Sequence, residues 1–458
     1  MTIANKFSGL MEGVAGVRGI VGEGLTPDVA CKYAAAYGTM LGGGEVVVGM
    51  DGRPTGPMLF DAVAAGLRSV GCSVLDIGIA LTPTIQIIID RRGSQGGIAI
   101  TASHNPQMWN ALKFFSTSSL FLDEKEGAVL KEILKNNDIK YASWDRLGGK
   151  SAFHEALDIH IKAVLDIPYL NLSAIRRRGF TVAVDCVNGA GSRIMPELLR
   201  ELGCTVVKIN CEPTGIFPRE AEPLPENLTE LCNLVKESKA DLGVALDPDG
   251  DRLALVDENG LPIGEEYSLA LAVAFVLPHK KGPVVTNVST TRALDDIAAR
   301  YDVPVFRTKV GEVHVAKRMA AEGAVVGGEG NGGVILPEVH LGRDAPVGVA
   351  LVLQFLTEEE KSLSEIVARL PQYHIVKDKI SIEGLDRVAL FQSLQQQIQA
   401  DKVDTTDGLK FIFPDSWVQI RASNTEPIIR IFAEHKSKLS AEEICRGVKE
   451  IIRQFQQQ

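Results

Sequence analysis

The 458-residue chain has no surplus of positive charge: 48 Lys and Arg stand against 58 Asp and Glu, a formal net charge of −10. Nucleic acids and anionic membranes select basic surfaces, so neither is an expected partner, and any phosphate must be held by a local constellation. Paired thiols are lacking too. The seven cysteines (Cys31, Cys72, Cys186, Cys204, Cys211, Cys232 and Cys445) form an odd set with no pair at two-residue spacing, which reads as reduced, mostly core thiols. Long apolar runs are missing: the longest, Ser268 to Leu277, is too short to span a bilayer, and no export signal stands at the N-terminus. A cytoplasmic protein is expected. What is present, 45% apolar and 23% charged residues, is the composition of a soluble chain with several cores.

Length alone suggests about three domains, but the pattern of elements fits four. In the first 150 residues apolar runs (VVVGM, SVLDIG, GGIAITAS) alternate with a helical pattern from about Gly56 to Val70, the signature of a largely parallel sheet with helices on both faces. The scheme returns with FTVAVDC, CTVVKIN and ADLGVALD around a helix at Ser192 to Leu202. It returns again with PVVTNV, PVFRT and AVVGGE around helices at Thr291 to Tyr301 and Val313 to Glu322. No sequence self-similarity proves a repeat, so a structural repeat is only suspected. After about Leu370 come three strand-like runs (LKFIF, WVQIRAS, IIRIFAE) and one helix. Ser440 and Glu443 there have capping-box spacing, and Ile444, Val448, Ile451, Ile452 and Phe455 mark an apolar face. The expected class is α/β with four domains, at 1–150, 151–257, 258–370 and 371–458, the last a smaller α+β domain.

Four loops carry polar chemistry. In GGIAITASHNP an apolar strand gives way to small and polar residues and Pro106 prevents it from continuing, so Ser103 sits at a strand's C-terminal edge, where open α/β sheets place ligands. A serine hydroxyl there can carry a phosphoryl group, with His104 and Asn105 beside it as donors; a plain strand-capping turn has the same composition. In LDPDGDRLALVD, Asp247, Asp249 and Asp251 alternate next to Arg252. Three clustered acids repel unless a cation neutralises them, and a hard divalent ion suits them. An EF-hand would want glycine at the sixth position, held here by Arg252, and flanking helices, although Glu258 does fall at the twelfth. A phosphatase with Asp247 as nucleophile and a solvated acidic turn are the other readings.

GGEGNGG (327 to 333) offers Glu329 and Asn331 among glycines that admit a close-lying ligand, a combination that suits sugar hydroxyls; a bare glycine turn looks the same. RASNTEPIIR gathers Arg421, Ser423, Asn424, Thr425 and Arg430 into an anion cradle without a catalytic group, or alternatively a polar hairpin.

In this order TASHNP, DPDGDR, GEGNGG and RASNTEP resemble the four signature loops of the α-D-phosphohexomutase family, and the resemblance runs the length of the chain from VRGIVG (17 to 22) and GMDGRPTG (49 to 56). It implies four domains, three with related mixed α/β sheets covered by helices and a smaller fourth, around a central cleft. It implies that Ser103 is a phosphoserine and that Asp247, Asp249 and Asp251 bind Mg²⁺ together with one of its phosphate oxygens. Arg18 and Arg252 would steady the transferring group, and Lys113, in NPQMWNALKFF, would act as general acid or base. The implied cycle passes through a hexose 1,6-bisphosphate, which also serves as activator, with hexose phosphates as the small-molecule partners and a monomer or homodimer as the assembly.

Within the family, the phosphomannomutase/phosphoglucomutase pattern has GEMSGH in the sugar loop, a lysine before the Thr-Arg pair, and histidine after KVG. Here GEGNGG, Ser289 and Glu312 take those places. An added carboxylate suits the ammonium of glucosamine phosphate, so interconversion of glucosamine 6-phosphate and glucosamine 1-phosphate is expected, with mannose or glucose phosphates as the alternative. Glu312 also fits a helix entry. A phosphatase and a non-catalytic sugar-phosphate binder are the remaining hypotheses.

Overall fold

In the computed structural model, which describes residues 9–422 and 427–456, three adjacent strands of the first sheet are the apolar runs Cys72–Ile79, Gly44–Met50 and Gly96–Ile100, all parallel. Their valines and isoleucines, apart from the half-buried Ile79, are buried on both faces, as parallel sheets require. The sheet is mixed, however. Trp109–Phe115 returns antiparallel to Gly96–Ile100, Gly16–Ile20 and Leu10–Glu12 follow it antiparallel, and Lys150–Ala152 closes the other edge.

The suspected repeat is present as topology. The second sheet runs Thr205–Ile209, Thr181–Asp185, Leu242–Leu246, Leu253–Val256, and the third Val305–Thr308, Val284–Asn287, Val326–Glu329, Gly333–Ile335. In each of the three units the first two strands and the third are parallel and the fourth folds back antiparallel. The turn between the third and fourth strands is the serine loop in unit one, the acidic loop in unit two and the glycine-rich loop in unit three. Strands flank the acidic loop on both sides, which excludes the EF-hand.

The fourth unit is an antiparallel sheet, ordered His374–Ser381, Ile428–His435, Ser416–Ala422, Leu409–Ile412, Lys402–Asp404, packed with helices Arg387–Gln397 and Lys438–Gln456. It holds two strands and a helix more than its apolar runs announce. The capping box expected at Ser440 and Glu443 is not formed: the last helix starts at Lys438, and Ser437 caps it, its Oγ accepting from the Ser440 N–H at 3.4 Å. The expected apolar face is right, with Val448 and Ile452 buried against Ile420 and Ile431.

Units two and three share one continuous core that also takes in Leu81 and Ile87 of the first, whereas the fourth keeps a separate core. Each fully buried Leu or Val in these cores contributes about 1.5–3 kcal/mol. Among the described residues no helix is long and apolar enough to cross a membrane.

Candidate active site

Ser103 lies just past the end of Gly96–Ile100 with a left-handed φ of 49°, a conformation that is strained for a residue other than glycine. Its surroundings enforce it. The Ser103 N–H donates to Thr101 Oγ1 at 3.0 Å, and that hydroxyl donates to Asp51 Oδ2 at 2.7 Å. Arg53, 1% exposed, is the main clamp. Its Nη2 donates to the carbonyls of Ser103 (2.7 Å) and Asn105 (2.8 Å), its Nη1 to those of Pro106 (2.9 Å) and Trp109 (3.0 Å), and its Nε pairs with Asp51 at 3.0 Å. Neither Arg53 nor Asp51 is a candidate from the sequence; GMDGRPTG holds both, but nothing local says that the arginine reaches a loop 50 residues on.

The Ser103 hydroxyl donates to Asp247 Oδ2 at 2.7 Å, which joins the first two loops. Asp247, Asp249 and Asp251 are fully buried, and one ligand atom from each lies within 4.8 Å of the others. Oδ1 of Asp249 and Oδ1 of Asp251 have no hydrogen-bond partner among the described residues. Two orphaned buried carboxylate oxygens are costly unless something positive fills the space between them, so the residues fit a divalent cation. Burial, then the neighbouring acids, push the Asp247 carboxyl well above its usual range. Burial acts on Asp249 in the same direction, but Lys113, whose Nζ lies 2.6 Å from Oδ2, and the Thr82 hydroxyl at 2.7 Å outweigh it and hold this carboxyl low. Lys113 is correspondingly kept protonated: burial opposes its charge, and Asp249 and Asp251 more than offset that.

His104 Nδ1 is 3.4 Å from Ser103 Oγ, and burial, then Arg252, push its pKa down to about 3, so the ring is neutral at neutral pH. Arg18 reaches the same loop through Asn105, Nη1 to Oδ1 at 3.4 Å. Arg252 pairs with Glu222, while its buried Nε makes no hydrogen bond among the described residues and lies 3.9 Å from Asp251 Oδ1. Buried polar atoms without a hydrogen bond are rare in folded proteins, yet of the nine among the described residues three, on Asp251, Arg252 and Asn331, belong to residues lining this cleft and a fourth is on Asp249 beside it, as expected where a polar ligand completes the bonding.

In the third loop Glu329 is 2% exposed, with Oε1 accepting from Asn287 Nδ2 and the Gly311 N–H, both at 2.8 Å. Burial opposes its charge, but Arg343 and these donors hold the carboxyl below its usual range. Glu312 is buried at the start of helix Glu312–Glu322, and both of its oxygens are engaged: Oε2 by Arg343 Nε at 3.0 Å and Oε1 by Gln86 Nε2 at 3.2 Å. The carboxylate that the sequence offers to a sugar ammonium already has a cation beside it. The reason is Arg343, a residue from a distant turn with no motif around it.

At the far end of the cleft the fourth unit supplies Arg421 and Arg430. Ser423, Asn424 and Thr425, also expected in the anion cradle, lie outside the described residues. Strand register explains the cradle better than the motif does: Arg430 stands opposite Arg421 on one side and opposite Lys379 on the other. Three like charges abreast on neighbouring strands destabilise a sheet unless an anion lies across them. Lys379 is a further addition to the sequence-based set. Arg421 Nη1 also pairs with Asp407 at 3.0 Å, and the same Asp407 oxygen accepts from the Val310 N–H at 3.0 Å, tying the cradle to the third unit.

Two adjoining cavities result. One of about 460 Å³ is lined by Arg18, Ser103, Lys113, Glu312, Glu329 and Arg343, and one of about 650 Å³ by Glu266, Lys377, Lys379, Arg421 and Arg430. His104, Arg252, Val310 and Asn331 line both, so the cavities are one cleft with an end that holds Ser103 and an end that holds the basic row.

Models of four domains match along the chain: phosphoglucomutase/phosphomannomutase alpha/beta/alpha domain I at residues 9–140, domain II at 158–260, domain III at 264–373 and the C-terminal domain at 376–451. A phosphoglucomutase/phosphomannomutase of Thermococcus kodakarensis is 42% identical over 96% of this chain and 98% of its own. A probable phosphoglucosamine mutase of Methanopyrus kandleri is 38% identical over 96% and 97%. A crystal structure of a phosphoglucomutase/phosphomannomutase family protein from Burkholderia thailandensis superposes with a TM-score of 0.85 at 26% identity, covering 97% of this chain and 98% of that one.

Proposed function

The chain belongs to the phosphoglucomutase/phosphomannomutase family, the α-D-phosphohexomutases, isomerases that move a phosphoryl group within a hexose, and from that membership we propose that Ser103 is the residue that carries the group. The observation that carries the proposal is the contact of the Ser103 hydroxyl with Asp247 at 2.7 Å, at the mouth of a buried three-aspartate site. Phosphoserine donates to the free hydroxyl of a hexose monophosphate: the P–Oγ bond breaks, a P–O bond to the sugar forms, and a 1,6-bisphosphate results. Reversed in the cleft, the bisphosphate returns its other phosphate to Ser103.

Asp247, Asp249 and Asp251 would hold Mg²⁺, which supplies neutralisation of charge on the phosphoryl oxygens. Lys113, held protonated, can give a proton to the serine oxygen as it leaves, the proton released by the sugar hydroxyl passes to water, and His104, a poor proton acceptor at a pKa of about 3, donates a hydrogen bond from its neutral ring. Arg18 and Arg252 steady the group in transit. The row of Lys379, Arg430 and Arg421 holds the phosphate that is not reacting, and Glu329 with Asn331 reads hydroxyls present in both orientations of the sugar.

For the sugar itself, two carboxylates, Glu312 and Glu329, against one guanidinium leave this part of the cleft net negative, which favours the ammonium of glucosamine phosphate. A second reading, glucose or mannose phosphate, is favoured by the engagement of both Glu312 oxygens. Catalytic efficiencies on glucosamine, glucose and mannose 1-phosphates decide between them. The amino sugar is expected to lead by about tenfold or more; a lead for glucose or mannose replaces the substrate and leaves the mutase standing.

A further inference from the structure

Arg343 bridges three carboxylates of the site. Its Nη2 lies 2.5 Å from Asp251 Oδ2, its Nη1 3.0 Å from Glu329 Oε2 and its Nε 3.0 Å from Glu312 Oε2. The planar guanidinium thus spans the acidic loop of the second unit and the glycine-rich loop of the third. A lysine, with one charged nitrogen, cannot reproduce that fork.

The surroundings fix its position. Asp344, the next residue, caps helix Ala345–Glu359 through Oδ1 (3.1 Å from the Val347 N–H), and its Oδ2 meets His160 Nε2 at 2.8 Å and His340 Nε2 at 2.9 Å. Room for the arginine stem exists because residue 333 is glycine: a Cβ there would stand 2.2 Å from Arg343 Cδ.

The consequence lies in which oxygens are taken. Arg343 occupies Oδ2 of Asp251, which leaves Oδ1, without a hydrogen bond and 3.9 Å from Arg252 Nε, as the oxygen open to a cation. By the same grip it occupies Oε2 of Glu329, whose Oε1 is held by Asn287 and Gly311. We propose that Arg343 is a positioning residue that locks the cation-binding loop to the sugar-reading loop, so that cation occupancy and sugar pose are set together. This rests on the mutase reading above.

The test uses the full chain as wild type, Arg343→Met, Arg343→Lys and Gly333→Ala. Affinity for Mn²⁺ alone is measured by electron paramagnetic resonance, and KM and kcat are measured with a hexose 1-phosphate. In Arg343→Met the Mn²⁺ dissociation constant and the sugar KM are both expected to rise about tenfold or more, the scale of losing a residue that orients a metal ligand. Arg343→Lys keeps the charge, which by itself repels a cation, and loses the fork, so both constants are expected to rise as in Arg343→Met. If Arg343→Met fails to fold, Gly333→Ala decides, because it displaces the stem and keeps the charge; both constants should again rise. Variants that lose thermal stability yet keep Mn²⁺ affinity and KM within about twofold of wild type would overturn the proposal. The Mn²⁺ measurement needs no turnover, so an inactive wild type would sink the mutase reading separately.

Discussion

Ser103→Ala is expected to lose at least about 10⁴-fold in interconversion of any hexose phosphate, because the alanine leaves no oxygen to store the phosphoryl group between half-reactions and water is the only remaining acceptor. The fold should stand. The loop is shaped by Thr101, Asp51 and Arg53, none of which the substitution touches, and the side chain itself makes one strong hydrogen bond, to Asp247. Loss of that bond costs on the order of 1 kcal/mol, readable as a small shift in urea denaturation. Wild-type turnover in this variant would mean that the phosphoryl group travels by another residue, with Asp247 the first to suspect.

Arg53→Met is expected to show the largest loss of stability. It removes a buried cation, strands the buried carboxylate of Asp51, and leaves the carbonyls of Ser103, Asn105, Pro106 and Trp109 without their donor. Breaking a buried pair in this way typically costs about 3–5 kcal/mol. The stacking of the guanidinium over Phe217, 4.8 Å from the ring centroid, is lost as well. Activity should fall with stability, because the left-handed conformation of Ser103 has no other clamp of comparable strength. Arg53→Lys keeps the charge but cannot reach four carbonyls, so it should fall between. Urea unfolding of the three proteins checks the order; an Arg53→Met variant as stable as wild type contradicts it.

The contrast between Ser103 and Arg53 shows what the sequence makes visible. Ser103, the three aspartates, Glu329 and Arg421 stand in short strings, each after an apolar strand run, so residue type and spacing alone single them out. Arg53, Arg343, Gln86 and Lys379 act across the fold. Arg53 meets carbonyls 50 to 56 residues away, and Gln86 meets Glu312 across 226. No local pattern encodes such contacts. The same division holds for the architecture. Buried parallel strands were plain from their continuous apolar runs, but the shared strand order of the three units depends on pairing between distant segments. In the fourth unit His374–Ser381 hides as a strand because Lys377, Asp378 and Lys379 break its alternation, and Arg387–Gln397 buries only Leu390 and Leu394. Ser437 and Ser440 are both plausible caps three residues apart, and the helix takes the earlier one.

Two compartments sharing His104, Arg252, Val310 and Asn331 follow from these contacts. One end holds Ser103 and the acidic loop; the other holds the row of Lys379, Arg430 and Arg421 together with the carboxyl groups of Glu222, Glu265 and Glu266.

Everything in this account turns on the phosphoryl group resting on Ser103. The direct measurement is phosphopeptide mapping by mass spectrometry after incubation of the protein with Mg²⁺ and glucose 1,6-bisphosphate, then again after addition of a hexose monophosphate. One phosphoryl group on Ser103, discharged by the monophosphate, is the predicted result. Turnover with Ser103 unmodified, or with the group on Asp247, would contradict it.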